Sequence, residues 1–99
     1  MIDPSMRARA LLSIQRALLG EVFPALRAVT VDWGLNHVKF TAYVDGDVRQ
    51  EDDDALSCVS AEVAADFEAG IDVAYEVVRR DAPAPIDADG AYAFLRREP

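Results

Sequence analysis

The stretch LRAVTVDW (26–33), GLN (34–36), HVKFTAYV (37–44) decides the fold. In its first part Val29, Val31 and Trp33 alternate with Ala28, Thr30 and Asp32, the period of a strand with one buried face. Gly34 to Asn36 reads as a tight turn. In the second part Val38, Phe40, Ala42 and Val44 alternate with Lys39, Thr41, Tyr43 and Asp45. Two alternating runs joined by a short polar turn predict an antiparallel hairpin. Trp33 is expected in the core, and Tyr43, on the Lys39 and Thr41 face, at the surface.

Upstream, Ser5 is a plausible N-cap for a helix running to about Glu21, with Leu11, Ile14, Leu18 and Val22 on one face and Arg7, Arg9 and Arg16 toward water. Gly20 suits a left-handed helix end, and Pro24 prevents continuation. Downstream, Leu56, Val59, Val63 and Phe67 keep helical spacing, so a second amphipathic helix is expected from about Gln50 to Glu68, with Cys58 as a small buried thiol and Gly70 closing it.

Ile71 to Arg80 alternates again as a half-buried strand. The prolines of 82–86 cannot donate to a ladder and imply an extended connection. A last short strand is expected from Ala91 to Arg97, and pattern leaves open whether Tyr92 and Phe94 or Ala93 and Leu95 face the core. The order is αββαββ, two hairpins separated by a helix. This predicts an α+β domain with a four-stranded antiparallel sheet carrying both helices on one face. That order differs from the split βαββαβ arrangement of ligand-sensing domains.

The 99 residues are the size of one domain, expected to span 1–99. Apolar residues make up 52%, but 17 positions are alanine, so the core is modest. The net charge of −8 disfavours nucleic acid and anionic membranes, which bind through Lys and Arg. A single cysteine cannot form an internal disulfide. No apolar run has signal-peptide or membrane-span length, so a cytoplasmic location is expected.

His37, the only histidine, reads as a surface or strand-edge residue, and a Cys58–His37 dyad is the weaker reading. No phosphate-binding, zinc-protease, hydrolase or calcium-loop spacing occurs. The chain is therefore expected not to be an enzyme and to need no cofactor. Its unusual feature is an acidic run: Asp45, Asp47, Glu51, Asp52, Asp53 and Asp54 against Arg49, a net of −5 within ten residues. Carboxylates in a first helical turn meet the positive end of the helix dipole, each contributing about 0.3–1 kcal/mol. Two or three of the six are explained in this way. The excess points to a docking surface for a basic macromolecule, with divalent-metal binding and a merely solvated face as the other readings.

The segments LLGEVFPALRAVTVDW (18–33), SCVSAEVAADF (57–67) and VVRRDAPAP (77–85) resemble small bacterial immunity proteins of contact-dependent growth inhibition and other polymorphic toxin systems. The likeness covers roughly residues 11–97. It implies a cytoplasmic inhibitor that binds the toxin domain delivered by a neighbouring cell, often a nuclease. A basic, phosphate-seeking cleft is a natural target for an acidic surface. The expected partner is thus one cationic toxin domain in a 1:1 complex. The expected contacts are Asp45, Asp47, Glu51, Asp52, Asp53 and Asp54, together with Asp32 and Tyr43. The rivals are a small carboxylate-based metal-binding regulator or enzyme, and a homodimer formed through an exposed strand edge.

Overall fold

The computed structural model describes residues 4–99. The elements are α1 (Pro4–Ala17), β1 (Leu26–Trp33), β2 (His37–Val44), α2 (Gln50–Ala65), β3 (Asp72–Arg79) and β4 (Ala91–Leu95), the expected αββαββ order. The chain is α+β, with one sheet ordered β3-β2-β1-β4.

The predicted hairpin forms, with Val29 opposite Ala42, Val31 opposite Phe40 and Trp33 opposite Val38. The second predicted hairpin does not. β3 pairs parallel to β2, and β4 pairs antiparallel to β1 at the other edge, so the sheet is mixed rather than wholly antiparallel. The cause lies in α2. A helix of 16 residues is a full crossover, which returns the chain to the end of the sheet where β2 began, and a strand starting there runs parallel to β2.

One face of the sheet carries both helices. Val29, Val31, Val38, Phe40 and Ala42 join Ala10 and Ile14 of α1 and Leu56, Val59 and Val63 of α2 in a single core. The Phe40 ring stacks on Tyr75 at 5.2 Å between centroids, locking β3 to β2. On α1 the helix stops at Ala17 and Gly20 takes a φ of +82°. The 3.6-residue period therefore ends early: Val22, expected in the core, is exposed, and Phe23 is buried instead. Ser5 lies inside the first turn rather than at its cap.

The other face is covered by the chain itself over β1 and the end of β2, whereas Ala74 and Glu76 of β3 are exposed on it. β3 and β4 are parallel strands at opposite edges, so residues 80–90 must cross β2 and β1. A right-handed β2–α2–β3 crossover on one face requires the reverse step to pass over the opposite face. This accounts for the burial of Ala28, Thr30 and Tyr43, whose registers point away from the helices. Tyr43 was expected at the surface and is only 9% exposed, because the alternation that places it opposite the helices says nothing of a strap laid over that side.

Where the strap reaches β4, a side chain on Gly90 would lie 2.7 Å from the Val31 carbonyl oxygen, so the close approach needs glycine. A register shift between Val29 and Thr30 resolves the face of β4. Ala91, Ala93 and Phe94 pack on the core, while Tyr92 and Leu95 are exposed.

Candidate functional site

The acidic run occupies the end of the sheet where β2 and β3 finish. After Val44 the chain turns through Gly46, at a φ of +82°, and enters α2 with Arg49 as an N-cap that makes no side-chain capping bond. Glu51, Asp52 and Asp53 fill the first turn, where free backbone N–H groups and the helix dipole favour negative charge.

The six carboxylates do not form one uncompensated patch. Arg79 donates to Asp47 at 2.6 Å and Arg49 pairs with Glu51 at 2.6 Å. Arg96 lies 3.6 Å from Asp45, which also accepts the Ala82 N–H. The loop is tied further by Asp81, which accepts the Gly46 N–H at 2.7 Å and two bonds from Arg79 at 3.0 Å. Those bonds, the Arg79 contact foremost, hold the Asp81 carboxyl below its ordinary range. Asp45 and Asp47 therefore close a loop. The fold brings to them arginines more than 30 residues away, which a local charge count does not register.

Asp52, Asp53 and Asp54 are different. Among the described residues none of the three pairs with a lysine or arginine. Asp53 accepts the Tyr75 hydroxyl at 3.2 Å and Asp54 the Gln50 amide at 2.9 Å. Burial, and then the neighbouring Asp53 charge, push the Tyr75 phenol up. The unneutralised part of the run is thus one helical turn.

Asp32 lies elsewhere. It faces Lys39 in the β1–β2 ladder, six residues along β2 from Asp45, a separation of about 20 Å at 3.3–3.4 Å per residue. Its carboxylate meets His37 Nε2 at 3.2 Å. The His37 ring packs against Gly34, where a side chain would come within 2.5 Å of Cε1. Asp32 and the Asp45–Asp47 loop belong to opposite ends of the sheet, and the buried Tyr43 joins neither as an open contact.

Cys58 was expected to be buried and is exposed. It stands two positions from Leu56 and one from Val59, about 200° and 100° around the helix, which turns it away from the stripe that packs on the sheet. His37 pairs with Asp32, not with this thiol. A maleimide reagent is expected to modify Cys58 completely in the folded protein without denaturant; protection until unfolding would contradict the placement.

Among the described residues no three His, Cys, Asp or Glu side chains gather as a metal site, and no helix is long and apolar enough to cross a membrane. The groups absent from the sequence reading are Arg27, Arg96 and Glu98, which join β1 to the chain end, and Asp66 and Glu68, which join α2 to α1. Asp66 accepts the Ser13 hydroxyl at 2.6 Å and Arg16 at 2.9 Å, and in that order these lower its pKa. Only distant partners give these residues meaning.

Compared with known proteins, residues 7–98 match the family model described as MafI2 immunity protein. No curated protein matches the chain.

Proposed function

Since the chain belongs to the MafI2 immunity protein family, we propose that it binds and neutralises one cognate toxin domain in the cytoplasm, as a 1:1 complex and without catalysis of its own. The proposed target is a cationic, nuclease-type domain, engaged at or near its active site. The observation that supports acidic docking is the first turn of α2. Asp52 and Asp53 of that turn, and Asp54 after it, have no lysine or arginine paired to them among the described residues. Such a turn steers a basic partner and accelerates the encounter.

Asp45 and Asp47 border this turn and Glu51 stands in it, each holding an arginine. Their contribution to a partner is smaller, because each already has a cation to satisfy it. Asp32, at the far end of the sheet, contributes only if the toxin spans the molecule or meets it there.

Replacing Asp52, Asp53 and Asp54 together by lysine is expected to slow association with its cognate toxin domain by about tenfold or more, and to flatten the dependence of that rate on salt. Stopped-flow association at several ionic strengths measures both. A triple variant that associates as fast as the parent and protects cells equally well would remove the acidic turn from the interface.

A further inference from the structure

We propose that the cleft at the end of β1, separate from the acidic turn, is a second recognition point that receives a guanidinium or ammonium side chain of the toxin. This rests on the immunity reading above and extends it to a second surface.

The cleft has a volume of about 360 Å³ and is lined by Arg7, Asp32, Trp33, Asp89, Gly90 and Tyr92. Two carboxylates face one guanidinium there. That guanidinium is engaged: Arg7 lies over the Trp33 ring at 5.7 Å from its centroid. Among the described residues the Asp32 carboxylate pairs with His37, and its side chain is 60% exposed. Asp89 is exposed and makes no hydrogen bond or ion pair among the described residues. Two carboxylates against one guanidinium leave the lining with a net charge of −1, and Asp32 and Asp89 are both open to a partner.

Its walls are held in place. Gly90 approaches the Val31 carbonyl so closely that no side chain fits, which pins Asp89 and Tyr92 on either side of that contact. Trp33 is anchored in the ladder opposite Val38, and its indole N–H is buried without an acceptor among the described residues. Tyr92 is 45% exposed at an edge strand. With the Trp33 ring taken by Arg7, the open Tyr92 ring and the two carboxylates suit a cation, through charge-assisted hydrogen bonds and the ring quadrupole. Trp, Tyr and charged anchors of this kind dominate the energetics of protein interfaces.

The chain has one tryptophan, so its indole resonance reports on this cleft alone. The test titrates the full chain with N-acetyl-arginine methylamide and, in parallel, with the neutral citrulline analogue, following the Trp33 indole and Gly90 amide signals by NMR. Arginine is expected to shift both saturably, with a dissociation constant on the order of millimolar, and citrulline to leave them unmoved. Asp32→Asn with Asp89→Asn is expected to weaken the arginine effect at least tenfold. Tyr92→Leu, which keeps bulk and removes the ring, is expected to weaken it severalfold and serves if the double variant does not fold.

Equal shifts with citrulline, no shift with arginine, or a shift unaltered in the variants would overturn the cleft as a cation site. No toxin enters this titration, so its failure leaves the immunity reading standing. Failure of the Asp52–Asp54 test likewise leaves the cleft standing.

Discussion

Phe40→Ala is expected to cost about 3–5 kcal/mol of folding stability, measured by urea denaturation followed by circular dichroism. Phe40 is fully buried near the centre of the sheet, opposite Val31 on β1 and Tyr75 on β3, and beneath both helices. Removing its ring takes away the transfer free energy of a large apolar side chain. It also leaves a cavity bounded by a rigid ladder on two sides, where relaxation is small. The loss of the stacked Tyr75 contact adds about 0.5–1.5 kcal/mol of the same sign. A domain of this size has about 5–15 kcal/mol in total, so a large share of the variant is expected to be unfolded at 37 °C. A cost below about 1 kcal/mol would show that the two strands and helices do not share this core.

The second large effect is expected at the join between β1 and the chain end. Arg27 sits at a register shift in β1 with only 3% of its side chain exposed. It donates from Nε and Nη2 to the two oxygens of Glu98, both at 2.8 Å, and from Nη1 to the Arg80 carbonyl at 2.6 Å. One guanidinium thereby holds β1, the start of the strap and the segment after β4. Arg96 donates to Glu98 as well, and to the Pro24 carbonyl at 2.7 Å. Arg27→Met leaves the Arg80 carbonyl without this donor and Glu98 with only Arg96. The midpoint of thermal unfolding is expected to fall by about 5–10 °C. An unchanged midpoint would mean that the fork contributes geometry without stability.

The same join sets the response to acid. The Arg27 hydrogen bonds, aided by Arg96, pull the Glu98 carboxyl from its ordinary 4.5 down to about 2. A carboxyl with a depressed folded-state pKa contributes stability above its unfolded value and loses it as pH falls toward the folded one. Stability is therefore expected to decline between pH 4.5 and about 2. Glu98→Gln is expected to begin less stable at neutral pH and to lose less across that window. Parallel pH curves for parent and variant would exclude Glu98 as the responsible group.

The hairpin from Leu26 to Val44 was legible because alternation over two eight-residue runs fixes both the strands and the face that meets the helices, though not the burial of Ala28, Thr30 and Tyr43 on the other. The second helix was equally plain, since three buried residues at helical spacing allow one orientation. The partner of β3 was not legible. Alternation tells which side of a strand is buried and is silent on which neighbour it pairs with or in which direction. The acidic run shows the same limit. Its composition was visible, yet only the fold brings Arg79 and Arg96 to Asp47 and Asp45 and leaves Asp52, Asp53 and Asp54 without a cation.

By itself, the sequence determined the elements, their order, most of the helix-facing core and the location of excess negative charge, because these follow from residues a few positions apart. The tertiary structure alone decided the mixed sheet, the strap that buries Tyr43, the division of the acidic run and the cleft formed by Asp32, Trp33, Asp89 and Tyr92. Each of these depends on groups brought together from 30 to 70 residues apart. Periodicity and local charge carry no information across such loops, whereas packing and ion pairing act on distance in space.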